Sequence, residues 1–422
     1  MLRQPGLAVS LALLAALAPA AWPRAAGAAE ATCAADERWD TAMGMCMPGS
    51  APSGNETSVT GHGAVFAVYT AAGGPRGAHQ FAAPNWFMLE ARRALGARQM
   101  LSIEAMATAE LWTFPDHGYA ELLQAGEERS DGSVYRDAQH PHSSPLMGLR
   151  LADEIALGEG RSLVLSFAPR GASTDGPVAF MHRASARDNP DAPLGHHVGQ
   201  DVGHISSTVL AAGLALGGFT VEASAFNGDE PQPSKVDLPL GPMNSTALRL
   251  SQELAPGHRV SAWLAQVRQA DELYPGTRSA TRSGLAILDH WVVGPGAIDH
   301  SLVYGSIARH PDGNRLQSIL DEGTWALRGR ELWWRAELLQ RLPVELGIPV
   351  GGATDEWQSR WVSALTVGCT QWWRTGATVQ AGLGLALTAD AVPAAWATAY
   401  GGRTPLTWRL VLQARLALPP RN

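Results

Sequence analysis

Histidine carries most of the chemical potential of this chain. Seven of its 13 histidines (His117, His140, His142, His182, His196, His197 and His204) fall within less than a quarter of its length. They come in short strings: Gln139-His140-Pro141-His142, Met181-His182-Arg183, and Gly195-His196-His197 followed by Asp201 and His204. Asp116, Asp137, Asp188 and Asp191 are interspersed with them. Neutral imidazole is the commonest biological metal ligand, and carboxylates can complete its shell. The candidate ligand set is therefore His140, His142, His182, His196, His197, Asp201 and His204, and the ions it suits are copper and zinc. Successive strand side chains point opposite ways, so His196 and His197 can serve one ion only from a turn.

Two other chemistries compete for the same residues. Asp/His pairs can brace an ordered loop by hydrogen bonds, with no ligand involved. Ser143 or Ser144 near His142, or Ser206 near His204, could form a nucleophile and base with an Asp as orienter. No Gly-x-Ser-x-Gly elbow surrounds any of these serines, which argues against hydrolysis. A second donor string lies near the N-terminus, where Met43, Met45 and Met47 alternate around Cys46. Thioethers and a thiolate select Cu(I). The alternative is a Cys33–Cys46 disulfide, which suits an oxidising compartment and leaves only the methionines as donors. Cys369, in a strand-like run, reads as a small apolar filler.

The elements that must position these residues follow a rhythm. From about His62 onward, period-two stretches of about ten residues come in pairs. Very short joins link each pair: Leu95-Gly96-Ala97, Gly158-Glu159-Gly160, Leu216-Gly217-Gly218, Pro256-Gly257, Gly294-Pro295-Gly296 and Arg328-Gly329-Arg330. Between pairs the connections are long and polar, including 110–145, 169–204 and 310–319. Short turns on one side and long loops on the other predict an all-β, up-and-down antiparallel transmembrane barrel of about 16 strands. An even count places both ends of the barrel with the short, periplasmic turns.

Individual strands agree. Along Pro405–Leu418, Leu406, Trp408, Leu410 and Leu412 share one face, while Thr407, Arg409, Gln413 and Arg415 share the other. Trp333, Arg335, Glu337 and Leu339 oppose Leu332, Trp334, Ala336 and Leu338. Arg335, Glu337, Arg409 and Arg415 are accordingly expected to face the lumen, where charges stay wet and the arginines favour anions. The chain has 15 Trp. Trp86, Trp112, Trp291, Trp325, Trp357, Trp361, Trp372, Trp373 and Trp396 lie near expected strand ends, as interfacial girdles require.

Arg3, the apolar run Leu7–Ala21 and Ala26-Gly27-Ala28 read as a cleaved signal peptide over 1–28. Residues 29–61 then form a periplasmic N-terminal segment, and 62–422 the barrel. A net charge of -7, with no basic stripe, argues against nucleic acid as a partner.

Asp137–His142, Phe180–Ala186, Asn189–His197 and Asp201–Ser206 together resemble a family of uncharacterised bacterial outer-membrane proteins. Trp39-Asp40, Met43–Pro48 and Ala225–Pro231 extend the resemblance over most of the mature chain. That resemblance implies a β-barrel associated with copper and heavy-metal resistance loci. The family tends to have an acid directly after His-Pro-His, where this chain has Ser143. The expected function is handling or passage of a small solute at the outer membrane of a Gram-negative bacterium, linked to transition-metal homeostasis. The alternatives are a plugged, non-conducting barrel that binds metal or is structural, and an outer-membrane hydrolase.

Overall fold

The computed structural model describes residues 37–40, 45–48 and 56–421, except 130, 143, 230–237, 239, 269–275, 312, 353 and 377. The signal-peptide segment, Cys33, Met43 and Ser143 lie outside the described residues, and with Cys33 the disulfide expected at Cys46. Strands Glu37–Asp40 and Met45–Pro48 pair antiparallel, bringing Arg38 opposite Met47 and Asp40 opposite Met45.

From Thr57 the chain builds one closed antiparallel barrel of sixteen long strands. The first eight are β1 (Thr57–Ala72), β2 (Asn85–Ala94), β3 (Gln99–Ala107), β4 (Leu146–Gly158), β5 (Arg161–Gly171), β6 (Ser206–Leu216), β7 (Phe219–Asn227) and β8 (Ser245–Ala255). The rest are β9 (His258–Val267), β10 (Ser279–Val293), β11 (Gly296–His310), β12 (Arg315–Leu327), β13 (Arg330–Arg341), β14 (Arg360–Arg374), β15 (Val379–Ala391) and β16 (Leu406–Arg421). Each strand pairs with the next, and β16 closes on β1. A short strand, His79–Ala82, adds to the loop end of β1.

All six predicted short joins connect neighbouring strands. At the β12–β13 turn Arg328 has φ 49° and Gly329 φ 79°. Positive φ at both central residues is what a type I′ turn requires, and that turn matches strand twist. Thr57 pairs with Arg93, and Val59 with Arg421, so both ends of the barrel lie on the short-turn side. One long connection is corrected: only residues 311–314 separate β11 from β12. The polar run around Arg315 and Gln317 resembles a loop in sequence. In the wall those two sit on the outer face, and Gln317 donates to Tyr304, while Leu316, Ser318 and Leu320 are buried inside.

The barrel wall has an apolar exterior and a polar interior. On β16, Leu406, Trp408, Leu410 and Leu412 are exposed, whereas Thr407, Arg409, Val411 and Gln413 are buried. Such an exterior is unfavourable in water and suited to hydrocarbon. The tryptophans divide. Trp112, Trp357 and Trp373 are exposed, but Trp372 and Trp396 are buried inside. Trp372 donates to Glu331 and lies under the Arg415 guanidinium, with Arg415 3.9 Å from the ring centroid. Strand-end position therefore overestimates the girdle, because a lumen-facing indole occupies the same sequence positions.

Two long connections fold together into the lumen as a plug. The β3–β4 connection folds inward as a hairpin of Tyr119–Glu128 and Val134–Gln139, and the β5–β6 connection packs beside it as short turns. Charged wall residues seat both. Arg409 donates to Tyr119 (2.9 Å) and Ala120 O (3.2 Å) and pairs with Asp191 (3.0 Å). Arg341 donates to Leu123 O, Gln124 and Leu194 O. Arg183, fully buried in the plug, pairs with Glu322 at 2.7 Å, and Arg335 meets the other Glu322 oxygen at 2.9 Å. Arg187 pairs with Asp299 and Glu331, and Arg415 with Glu331 and Asp188. The wall residues here come from β11 to β13 and β16, whereas both loops hang from β3 to β6.

Candidate metal centre

Two stretches of the plug bring five histidines together. His140 and His142 follow the inner hairpin, held by Pro141 between them. His196 and His197 lie in a tight turn, His196–Gln200, and His204 ends a short turn just before β6. The turn is pinned against the wall. Gly199 has φ 73°, and a Cβ there would lie 2.6 Å from Ser306 backbone atoms. Gly305 meets the same backbone from the other side, and Ser318 donates to Val198 O at 2.8 Å. Only glycine permits this approach of backbone to backbone. Because the segment turns, the adjacent His196 and His197 rings share one pocket, their centroids 4.6 Å apart.

Each of the five rings turns Nδ1 toward an acceptor. His140 Nδ1 donates to Pro141 O (2.8 Å), His142 Nδ1 to Glu110 Oε2 (2.5 Å), His196 Nδ1 to Asp201 Oδ1 (2.5 Å) and His204 Nδ1 to Asp201 O (2.8 Å). His197 Nδ1 faces Glu127 Oε1 at 3.6 Å. Carbonyl and carboxylate oxygens only accept, so the four hydrogen bonds place a proton on Nδ1 of His140, His142, His196 and His204. Acceptors behind the ring are the arrangement that orients metal-binding histidines.

His140 Nε2 and His197 Nε2 lie 3.1 Å apart, and His204 Nε2 is enclosed without a hydrogen-bond partner. At this distance either a proton or a cation can lie between the two nitrogens. Zinc–nitrogen bonds of about 2.0–2.1 Å at a tetrahedral angle separate two ligands by roughly 3.3 Å. Glu127, His140 and His197 offer donor atoms all within 4.8 Å of one another. The rings, with Glu127, Gln124, Gln139 and Phe180, line a pocket of about 570 Å³ including its open mouth.

Electrostatics keep these donors in their ligating forms. Burial, reinforced by the neighbouring His197, lowers His140 to about 3. Burial and then His196 push His204 well below its ordinary value. Burial would raise Asp201, but His196 and Arg183 overcome it and hold the carboxyl well below the usual range.

The remaining sequence-derived candidates fall elsewhere. His182 stands apart from the five, against His62 and Trp86, with ring centroids 6.3 and 5.0 Å away. His117 is on the surface against Arg129. Asp201 acts behind the rings. Arg335, Glu337, Arg409 and Arg415 point into the barrel, where each is engaged with the plug rather than with open water; Glu337 accepts from Gly195 N. Ser206 Oγ donates to Ser173 and Gly203 O, and Ser144 Oγ accepts from Leu146 N, so both hydroxyls are engaged away from imidazole. Glu110 and Glu127 escaped sequence reasoning. Glu110 supplies the acid that the His-Pro-His string lacks at Ser143, from 32 residues upstream of His142.

The sequence matches no protein-family model and no curated protein. Among solved structures it is similar to Salmonella typhi OmpF in complex with daunomycin, at 10% identity and a TM-score of 0.51, covering 86% of this chain and 98% of that one. An anion-selective porin from Comamonas acidovorans matches at 13% identity, 86% and 100% coverage and a TM-score of 0.49. The outer membrane channel DcaP of Acinetobacter baumannii matches at 12%, 88% and 99%, with a TM-score of 0.48. What the chain shares with Salmonella typhi OmpF is the fold, a closed sixteen-stranded antiparallel barrel.

Proposed function

We propose that this protein is an outer-membrane barrel that binds a transition-metal dication, zinc or Cu(II), in its plug, and admits a small solute or the ion itself only when the plug shifts. The observation that carries this reading is the convergence of five imidazoles held from behind through Nδ1, with His140 and His197 Nε2 3.1 Å apart and His204 Nε2 enclosed without a partner. A brace built of His–Asp hydrogen bonds has no need of an unanswered His204 Nε2. Imidazole donors suit zinc and copper, and the carboxylates behind them raise ligand basicity. The likeness to outer-membrane porins supports the membrane and the solute. The link to copper resistance rests on family resemblance alone.

Zinc and Cu(II) titration of the purified barrel, with a His196→Ala/His197→Ala variant beside it, tests the binding step. Binding by the parent and its loss in the variant are expected; equal binding by both removes the site. Planar-bilayer recordings test passage. The expected trace is closed or nearly closed for the parent, with conductance gained in Arg341→Ala/Arg409→Ala, which removes the plug's main anchors on β13 and β16. A variant that stays silent leaves a binding protein with no passage.

A further inference from the structure

The plug has a second imidazole-bearing face. His62 on β1 and Trp86 on β2 point inward and meet His182, which ends the short turn Phe180–His182. His62 is directly opposite Met88 in the β1–β2 register, and Met88 opposite Met106 in the β2–β3 register. Directly paired residues share a face of the sheet, with Cβ atoms about 4.5–5.5 Å apart. Met88 is buried on the lumen side. His62, Met88 and Met106 thus form one inward row, with His182 suspended over its His62 end.

Two atoms in this cluster are unanswered. His62 Nε2 and His182 Nδ1 are both enclosed, and neither has a hydrogen-bond partner. His182 stays neutral, lowered to about 3 by burial first and then by the neighbouring His62. Among the described residues no carboxylate hydrogen-bonds to His62 or His182, unlike the five-histidine pocket with its carboxylates. A row of thioethers cannot replace the lost water for an imidazole, since a thioether is only a weak acceptor. What imidazole and thioether share is affinity for a soft cation of low charge.

We infer a second metal site here, formed by His62, Met88 and His182 with Met106 beside them, that takes Cu(I) or another soft monovalent ion. It lies deeper than the first pocket. Ser185, three residues after His182, hydrogen-bonds Ser301 at 2.6 Å, near the short-turn end of β11. The His196–Gln200 turn contacts Gly305 and Ser306, farther toward the loops. Phe180 separates the two sites, 5.9 Å from His196 between ring centroids and two residues before His182. The order from the exterior is therefore an imidazole pocket backed by carboxylates, then an uncharged site of imidazole and thioether.

Silver(I) is an air-stable probe of the second site. The purified full-length barrel is loaded with silver nitrate, and bound silver is counted after dialysis and examined by X-ray absorption. The parent is expected to show sulfur and nitrogen neighbours. Met88→Leu/Met106→Leu, which nearly conserves volume, and independently His182→Gln, should each lose one equivalent of silver, and the former should lose sulfur scattering with it. Excess zinc should leave that equivalent in place, and so should His196→Ala/His197→Ala. Unchanged stoichiometry and sulfur signal in the methionine and His182 variants would overturn the site. So would displacement of this silver by zinc. Zinc binding that fails while the silver result holds removes the five-histidine pocket alone, and the reverse outcome removes only the deeper site.

Discussion

The seam between plug and wall and the pocket inside the plug use the same polar vocabulary to opposite ends. At the seam, each carboxylate oxygen of Glu322 meets a guanidinium, Arg183 on one side and Arg335 on the other. Arg341 divides its donors among two backbone carbonyls and Gln124. In the pocket, His140 and His197 turn Nε2 toward each other and His204 Nε2 is enclosed without a hydrogen-bond partner. The difference separates charges that hold the plug from imidazoles gathered around a cavity. Paired charges in a dry seam fix geometry, whereas converging neutral donors suit a cation.

The sharpest way to break this contrast is Glu322→Ala. It strands two buried guanidiniums, and losing one partner of a buried ion pair costs about 3–5 kcal/mol. Thermal unfolding followed by heat-modifiable gel mobility should show a clear drop, while zinc affinity per folded molecule changes little. A variant as stable as the parent would mean that the seam is not what seats the plug. Next in size is Glu127→Gln. Glu127 both offers a donor to the pocket and faces His197 Nδ1, so zinc affinity should fall by at least the about 10–100-fold that loss of a supporting acceptor costs, with no shift in unfolding. A stability loss without an affinity loss would reassign Glu127 to the seam.

The smallest expected effect belongs to Glu121 of the inner hairpin. Burial, then the nearby Asp191, raises its carboxyl well above the ordinary 4.5. An acid whose folded value is raised binds its proton more tightly in the docked plug, so its contribution declines as pH climbs from the unfolded value through the folded one. Plug retention should therefore be firmer at pH 5 than at pH 8. Glu121→Gln, which mimics the protonated form, should be nearly silent at pH 5 and flatten the slope, as read by conductance across that range. A steeper slope in the variant would contradict the assignment.

The wall was legible because its signals are local. Alternation over ten residues and a Gly at a turn depend on neighbours in sequence, so β16 and the Arg328-Gly329 turn could be read directly. The β11–β12 connection was misread because outward polar residues such as Arg315 and Gln317 imitate a loop. The histidines were visible as a group, but their division was not. Nothing in sequence separates His182 from His196; only the fold of the plug sends the first toward β1 and the turn that holds the second toward β11. Glu110 and Glu127 were invisible for the same reason, as their partners lie in other turns of the chain.

One consequence follows from where the plug loops are attached. Both leave and rejoin the wall within the contiguous arc β3 to β6, and their far side is held by side chains of β11 to β13 and β16. A displaced plug therefore cannot diffuse away, unlike a separate stopper. It remains tethered near its seat at an effective concentration that for short flexible tethers is on the order of millimolar. Reclosure is an intramolecular event, independent of how many copies the membrane holds, and each opening is brief unless something occupies the space that the plug left.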